Sequence, residues 1–459
     1  MFPIIGLEVH LELKTKSKMF CACSASHFHV PPNTHTCPVC LGLPGALPVP
    51  NQKALNYCVK IGLALGCTVQ KNSFFERKNY FYPDLPKGYQ ISQYQRPLTI
   101  KGKFNSVRIN RVHMEEDTAK SIHQDNVTLI DFNRSGVPLV EIVSEPDITS
   151  ASQAKQYLLD LQQLIRYLGV SDADIEKGSM RCEPTVNLKI DGRPTALVEI
   201  KNIASLSAVE SAINYEITRQ TQNPDFSKNK TTRGWDADKQ ATFLQRDKEG
   251  SSDYRYFPEP DIPPLEFTDQ QIKAIASTIP ELPAQKIKRY QSYQLSDDDA
   301  SLLAQDKNLA DLFDATIERQ NSPDFIKGTA NLINGSVRNY LNDFPTKPLK
   351  TTPQNLTLAV NASLSGQISW TTAKENIYQS AKTGEDVMTL IKKKGQFQNS
   401  DQAELETIAK KVIADNPKAV GDYQKNPNSI GFLVGQVMIA TKGSANPPLV
   451  QKILKQFLK

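Results

Sequence analysis

Ionisable residues that could bind a ligand or a metal ion alternate with apolar residues along one short segment near the start of the chain. In Leu7–Leu13 every odd position is apolar, and the even positions are Glu8, His10 and Glu12. Because side chains of a β-strand alternate between its two faces, a strand here would carry all three ionisable groups on one face. Such a face could hold a cation. The segment alone favours the alternative, a half-buried strand whose polar side is solvated.

A further candidate carboxylate, Glu141, lies in the otherwise apolar segment Leu139–Val143. Alternation would place Glu141 on the same side of a strand as Leu139 and Val143. An unpaired carboxylate in such apolar surroundings is costly to desolvate. We therefore expect a neighbouring group to neutralise Glu141.

More acidic residues lie in the segment Arg111–Asp117, which contains Glu115 and Glu116. Alternation sends these two side chains to opposite faces of a strand, and the pattern does not say which one points inward. Carboxylates from separate strands that converge with one imidazole suit a hard divalent cation such as Mg²⁺, which bridges nucleotide phosphates. Histidine is an unusual ligand for Mg²⁺, so Mn²⁺ is an alternative ion. A cluster of surface charges is the alternative to a metal site.

Two pairs of cysteines form the sharpest local pattern, a zinc knuckle predicted over residues 21–40. The four are Cys21, Cys23, Cys37 and Cys40. Four thiolates at such spacing suit tetrahedral Zn²⁺, and a shell closed by four protein ligands indicates a structural role. Reduced thiols without a metal and a redox pair at Cys37 and Cys40 are alternatives. His27, His29 and His35 lie between the pairs and could replace a cysteine, although solvent-exposed loop positions are more typical of them.

Two loops combine aromatic rings, prolines and basic residues, Arg77–Gln90 and Asp253–Asp261. Such loops could cradle phosphates and stack a base, and rigid structural loops are the alternative. The sequence contains none of the glycine-rich phosphate loops or the G-x-S-x-G motif, so any ATP must be held by other means. The candidate contacts for ATP, phosphate or a channel are Lys78, Tyr82, Lys87 and Arg255.

Composition and periodicity along the chain predict an α+β fold with three domains. Strand-like alternation, aromatics and proline-punctuated loops predict a catalytic domain with a sheet over residues 1–285. Helix-forming composition predicts a helical domain over residues 286–346, and apolar stripes at helical spacing predict a second all-helical domain over residues 347–459.

Composition narrows the class of protein. No apolar run approaches the length of about 20 residues that a membrane span requires, and no signal peptide precedes Glu8, so we expect a soluble cytoplasmic protein. From Lys347 onward there are 15 lysines, no arginine and eight acidic residues. This basic tail suits a contact with a phosphate backbone, and an ordinary solvated helical face is equally consistent with it.

Seven segments, in order along the chain, resemble the GatB family, the B subunits of tRNA-dependent amidotransferases, over essentially the whole length. The segments are Ile5–His10, Arg77–Gln93, His113–Asp117, Glu141–Asp147, Gly178–Cys182, Asp253–Leu265 and Gly431–Gln436. The resemblance implies a mixed-sheet, cradle-shaped catalytic domain, then a helical domain and a tail domain that contacts tRNA. It also implies two partner subunits, a GatA amidase that releases ammonia from glutamine and a small GatC.

The resemblance further implies the catalytic residues. Mg²⁺ would be bound by His10, Glu116 and Glu141, with Glu8 close by, and this choice resolves the question of Glu115 or Glu116 in favour of Glu116. The zinc knuckle would be dispensable for chemistry, because it is degenerate in some members of the family.

The implied reaction is that of a ligase that forms a carbon–nitrogen bond. ATP would phosphorylate the side chain of Glu-tRNA(Gln) or Asp-tRNA(Asn), and ammonia would convert the resulting acyl phosphate to the amide of Gln-tRNA(Gln) or Asn-tRNA(Asn). The main alternative is a non-catalytic adaptor that binds tRNA through its zinc knuckle and basic tail. The apolar setting predicted for Glu141 argues against that alternative.

Overall fold

A computed structural model describes residues 1–227, 229–248, 254–398, 401–441 and 445–458, with only the backbone described for 246–248. Asp253, which begins one of the aromatic loops, lies outside these residues. The chain forms two compact units, Met1–Leu282 and Pro283–Lys459. The first combines a mixed sheet with helices and the second is helical, so the expected α+β fold is confirmed.

Strands dominate the N-terminal unit. They are β1 (Phe2–Glu12), β2 (Thr68–Val69), β3 (Asn72–Ser73), β4 (Glu76–Asn79), β5 (Tyr89–Ser92), β6 (Thr99–Phe104), β7 (Val107–Glu116), β8 (Lys120–Gln124), β9 (Val127–Asp131), β10 (Pro138–Ser144), β11 (Met180–Ile190), β12 (Arg193–Pro194), β13 (Val198–Lys201), β14 (Lys230–Asp236), β15 (Ala241–Lys248), β16 (Phe257–Pro258) and β17 (Leu265–Glu266). The helices of this unit are α1 (Gln52–Ala64), α2 (Ala151–Leu168), α3 (Leu206–Gln222) and α4 (Asp269–Ala276).

One large sheet organises these strands, in the order β15-β14-β13-β11-β1-β10-β7-β6-β2, with β12 paired to β11. It is mixed, because β13 and β14 run parallel while the other neighbouring pairs run antiparallel. Smaller sheets join β16 to β4 and β5, β17 to β3, and β8 to β9. The strand β1 lies near the middle of the large sheet, between β11 and β10.

The apolar face of the large sheet builds the core of this unit. On β1, Leu7, Val9 and Leu11 are at most 2 % exposed and join a hydrophobic cluster with residues of α1 and α2. Helix α1 packs on β6 and β7, and α3 packs on β11. Strict alternation then turns the even-numbered side chains of β1 to the opposite face.

Helices form the second unit. They are α5 (Pro283–Ser292), α6 (Asp297–Gln305), α7 (Lys307–Ile317), α8 (Pro323–Leu332), a π-helical turn (Ile333–Val337), α9 (Arg338–Asp343), α10 (Pro353–Leu364), α11 (Trp370–Thr383), α12 (Val387–Lys393), α13 (Gln402–Asp415), α14 (Pro417–Lys425), a 3₁₀ turn (Pro427–Ser429), α15 (Ile430–Ala440) and α16 (Pro447–Phe457). Among the described residues, no helix is long and apolar enough to cross a membrane.

Two hydrophobic clusters support the helical unit. The first contains buried residues from Tyr290 to Ile391, and the second contains buried residues from Leu405 to Leu454. The boundary predicted between residues 346 and 347 falls inside the first cluster, because α10 to α12 pack with the helices that precede them. The linker-like composition around Pro348 therefore marks a connection between helices that share one core.

Candidate active site

Four neighbouring strands bring ionisable side chains to the face of the large sheet opposite the core. His10 on β1 pairs with Arg181 on β11 and with Glu141 on β10, and Glu141 pairs with His113 on β7. Directly opposed residues of antiparallel strands share a face, with Cβ atoms about 4.5–5.5 Å apart. These residues therefore form one row across the sheet. Glu8 lies on the same face as His10, two positions earlier on β1.

Glu115, and not Glu116, joins this row from β7. Oε2 of Glu115 lies 3.7 Å from Nε2 of His10. Oε1 of Glu116 accepts a hydrogen bond from the backbone N–H of Ile91 at 3.0 Å and pairs with Lys87. The structure thus corrects the expectation that Glu116 lies in the group around His10. The reason is the alternation along β7, which turns consecutive side chains to opposite faces.

Two sets of side chains in this group could hold a metal ion, and they share Glu141. One set adds Glu8 and His10, the other adds His113 and Glu115, and the candidate ligand atoms of each set lie within 4.8 Å of one another. Nε2 of His10 and Nε2 of His113 are each 3.4 Å from Oε2 of Glu141. Among the described residues, the buried Oε1 of Glu141 has no hydrogen-bond partner, and its nearest cation is Nη2 of Arg111 at 3.7 Å. Since an unsatisfied buried acceptor is costly, this oxygen fits a divalent cation.

Charge coupling within the group shifts its pKa values. Burial lowers the pKa of His10, but the hydrogen bond and charge of Glu141, together with the charge of Glu115, raise it to about 9. Burial and the nearby Glu141 carboxylate raise the pKa of Glu8 to about 7. Burial opposes ionisation of Glu141 as well, yet the charges of His113 and His10 hold its pKa well below the usual range. The carboxylates of this group therefore require positive charge beside them, which a protonated imidazole or a bound cation supplies.

The group opens onto a cavity of about 1080 Å³. Lys201 on β13 and Lys230 on β14 lie in one part of its wall, and Lys78 on β4 lies beside β7, with Nζ 3.9 Å from Oε1 of Glu115. Tyr254 also lines the cavity, and its ring is 5.2 Å from Nζ of Lys78. The wall thus combines cations and aromatic rings with the acidic group, an arrangement that suits an anionic ligand with a flat ring.

The four candidate contacts for ATP, phosphate or a channel differ in whether they line the cavity. Lys78 lines the cavity. Tyr82 is 60 % exposed and lies outside the cavity wall, and Lys87 is engaged by Glu116. Arg255 is exposed, while the tyrosines on either side of it in the chain line the cavity. The aromatic loop therefore contributes its rings, and not this arginine, to the cavity.

Sequence reasoning assigned no role to several wall residues, among them His113, Arg181 and Glu183. Arg181 reaches the site because β11 pairs with β1, although the two strands are far apart in the chain. Strand register depends on which faces are buried in the folded sheet, and no local pattern specifies it. The available signal was the segment Gly178–Cys182, which resembles the GatB family without indicating what its arginine does.

The four cysteines of the predicted knuckle converge, with Sγ atoms within 4.8 Å of one another. A hydrogen bond from Cys21 lowers the pKa of Cys40 to about 4, and the ammonium of Lys18, whose Nζ lies 3.6 Å from the Cys40 sulfur, adds to this shift. Metals bind the thiolate form of cysteine. The cluster could therefore bind a metal ion such as zinc through its four sulfurs.

The histidines between the cysteine pairs have other surroundings. Nε2 of His27 lies 2.9 Å from Oε2 of Glu12, Nδ1 of His35 lies 2.6 Å from the carbonyl oxygen of Ser26, and His29 is exposed. Within the described part of the chain, none of them belongs to the cysteine cluster. The geometry therefore favours four cysteines as the ligand set. The contact between His27 and Glu12 also connects this segment to the end of β1.

Comparison with known proteins covers nearly the whole chain. Residues 3–273 match the GatB/GatE catalytic domain, and residues 311–458 match the GatB domain. The chain is 46% identical to a protein of Dehalococcoides mccartyi, 44% to one of Persephonella marina and 42% to one of Thermotoga maritima. These alignments cover 99–100% of this chain and 98–99% of the relatives.

All three relatives are named as B subunits of aspartyl/glutamyl-tRNA(Asn/Gln) amidotransferases. The matched regions include every strand of the row described above and the cysteine cluster. Identity of this extent over full length shows common family membership. The chain therefore belongs to the GatB family of amidotransferase subunits.

Proposed function

We propose that this chain amidates misacylated tRNA, converting Glu-tRNA(Gln) or Asp-tRNA(Asn) to Gln-tRNA(Gln) or Asn-tRNA(Asn) with ATP. The observation that carries the proposal is the meeting of His10, Glu115 and Glu141 beside Lys78 in one large cavity. Burying acids from separate strands is costly, and ionisable groups buried at such a cost cluster at functional sites. The names of the relatives supply the substrate class.

A divalent ion, Mg²⁺ or Mn²⁺, fits the acidic group. It would be held by His10, Glu115 and Glu141, with Glu8 beside them, and Glu115 takes the place expected for Glu116. When bound, such an ion neutralises the negative charge of nucleotide phosphates. Oxygen-rich ligand sets are typical for Mg²⁺, and the imidazole leaves Mn²⁺ as an alternative.

The proposed chemistry begins from the low reactivity of a carboxylate, whose oxygen is a poor leaving group. An oxygen of the substrate carboxylate attacks the γ-phosphorus of ATP; the new oxygen–phosphorus bond forms as the bond to ADP breaks. Ammonia then attacks the carbonyl carbon, a carbon–nitrogen bond forms, phosphate leaves and one proton is released. Lys78, at the β7 side of the cavity, is placed to pair with phosphate oxygens and hold them in position.

An acyl phosphate is hydrolysed by water, so this mechanism requires a sheltered source of ammonia. We propose that a GatA amidase subunit supplies it from glutamine and that a small GatC subunit completes a heterotrimer in the cytoplasm. The lysine-rich tail domain would contact the tRNA backbone. Zinc in the cysteine cluster would serve the fold of the catalytic unit.

The proposal is tested by assaying amide formation on each misacylated tRNA with ATP and ammonium chloride, using the chain copurified with its partner subunits. Glu141→Gln and Glu115→Gln should lower kcat by at least about 100-fold, because the charge of the ion-binding group is lost. Glu176→Gln alters an exposed loop outside the cavity and is the matched control. Filter binding of tRNA should be unchanged in all three variants.

The same experiment separates catalysis from a tRNA-binding adaptor role. An adaptor would retain amidation in the complex when Glu141 and Glu115 are changed, because another subunit would perform the chemistry. Full activity of both variants, with tRNA binding intact, would overturn the proposal. Loss of tRNA binding alongside activity would point to unfolding, which circular dichroism of the purified variants detects.

A further inference from the structure

Arg181 reaches the cavity wall from β11, and its side chain is 33 % exposed. Its Nη2 donates a hydrogen bond to Oδ2 of the buried Asp117 at 2.8 Å. Among the described residues, this is the one hydrogen bond made by the Arg181 side chain. A guanidinium carries five N–H donors in a rigid fork, so most of them are available to a ligand in the cavity.

Asp117 is shared between two guanidinium groups. Besides Arg181, it faces Nε of Arg134 at 3.8 Å, and Arg134 is fixed by hydrogen bonds to the carbonyl oxygens of Thr118 and Ala119. The Asp117 side chain is buried, and the two guanidinium groups pair with the same carboxylate oxygen. The Asp117 carboxylate thus faces two cations, Arg181 and Arg134.

Two other acids act on Arg181, and each has its own partner. Glu183 pairs with Nζ of Lys201 at 2.6 Å. Glu12 lies 2.9 Å from His27 and interacts through its charge with Asp117. A chain of interactions therefore runs from His27, within the cysteine-bearing segment, through Glu12 and Asp117 to Arg181.

We propose that Arg181 binds an oxyanion of the substrate, either a phosphate group of the nucleotide or the carboxylate of the aminoacyl group. Asp117, Glu12 and His27 are positioning residues that fix its guanidinium. This inference rests on the proposed function and names a binding residue for it. Because Arg181 lies directly opposite His10 in the sheet, an oxyanion held there lies beside the ion-binding group. Fixed positive charge in a sheltered cavity is most effective where negative charge develops.

The test measures KM for ATP and KM for misacylated tRNA separately, with ammonium chloride as nitrogen donor and the chain in complex with its partner subunits. Arg181→Met should raise one KM about 10- to 100-fold, because charge-assisted hydrogen bonds are lost. A rise for ATP identifies the phosphate as the ligand, and a rise for tRNA identifies the carboxylate. Arg181→Lys should recover part of the loss, since it restores charge without the fork.

Arg193→Met, an exposed position on β12 outside the cavity, is the matched control and should leave both KM values within about twofold of the wild type. Wild-type-like KM and kcat values for Arg181→Met would overturn the inference, whereas a wild-type complex without amidation activity would overturn the proposed function instead. A fall in kcat alone, with both KM values unchanged, would also overturn a role in binding the substrate oxyanion.

The positioning role is tested by His27→Asn, compared with His29→Asn at an exposed position of the same segment. The side chain introduced by His27→Asn is too short to reach Glu12. This substitution should therefore raise the same KM as Arg181→Met by about three- to tenfold and leave kcat nearly unchanged. Zinc content, measured by atomic absorption, should be equal in the two variants. Equal KM values for His27→Asn and His29→Asn would refute the positioning role.

Discussion

Glu115 and Glu116 are consecutive residues whose carboxylates belong to different parts of the catalytic unit. Glu115 approaches His10, with Oε2 and Nε2 3.7 Å apart, whereas Oε1 of Glu116 accepts the Ile91 N–H and pairs with Lys87. Both side chains are buried. A step of one residue along β7 therefore decides which carboxylate can serve an ion in the cavity.

This difference predicts the effect of two matched substitutions on metal binding. Glu115→Gln should weaken Mn²⁺ binding by at least about tenfold, because an anionic ligand is replaced by a neutral amide. Glu116→Gln should leave the affinity within about twofold, because its carboxylate faces Lys87. Isothermal titration calorimetry of the purified proteins measures both. Comparable losses in the two variants would show that Glu115 is not the distinguishing ligand.

A half-buried ion pair in the helical unit predicts a pH-dependent stability. Asp314 pairs with Lys286 and accepts a hydrogen bond from Arg289 at 2.8 Å. Burial would raise the pKa of Asp314, yet these two partners lower it below its ordinary value of 3.8. Since the folded pKa is the lower one, this stabilisation is fully present above pH 3.8 and is lost as the pH falls through the folded value.

Asp314→Asn should therefore lower the free energy of unfolding at pH 7 by about 1–3 kcal/mol, because the charged hydrogen bonds are lost. The difference from wild type should shrink as the pH is lowered below 3.8. Urea unfolding followed by circular dichroism at several pH values measures it. Asp298→Asn, at an exposed position of α6, is the control and should change stability by less than about 1 kcal/mol. A pH-independent effect of Asp314→Asn would contradict the prediction.

Close packing of α1 on β6 predicts a second effect on stability. A Cβ added to Gly62 would lie 2.4–2.7 Å from side-chain atoms of Thr99. Gly62→Ala should therefore destabilise the N-terminal unit by about 1–3 kcal/mol, because helix and strand must separate. Gly421→Ala, on α14 with no atom within 4 Å of the added Cβ, should be neutral or stabilise by up to about 1 kcal/mol. Thermal unfolding of both variants distinguishes them, and equal melting temperatures would refute the packing argument.

The cysteine cluster predicts a metal-dependent fold of its segment. Cys23→Ala should remove bound zinc and lower the melting temperature by several degrees, because a structural site contributes its binding energy to folding. Cys67→Ala removes a buried thiol outside the cluster and should leave the zinc content unchanged. Atomic absorption and calorimetry make the two measurements. Unchanged zinc in Cys23→Ala would exclude this cysteine as a ligand.

Local pattern predicted several features that the structure confirms. The alternation in Leu7–Leu13 predicted the strand β1, whose even side chains leave the apolar core. The paired spacing of the four cysteines predicted a cluster, and their sulfurs lie within 4.8 Å of one another in the structure. Helical periodicity predicted the α-helical second half, since an amphipathic stripe is stable only when it is buried. The domain boundary near residue 346 was harder to predict, because a linker-like composition does not reveal which helices share a core.

Local sequence was sufficient to predict β1 with its polar face, the helical second half and the family resemblance, because these depend on periodicity and order along the chain. The approach of Glu115 to His10, the entry of Arg181 into the cavity and the position of Arg255 outside its wall became apparent from the folded sheet. Those outcomes depend on the register between strands distant in the chain. Register follows from burying one whole sheet face against helices, a cooperative result that no short segment contains.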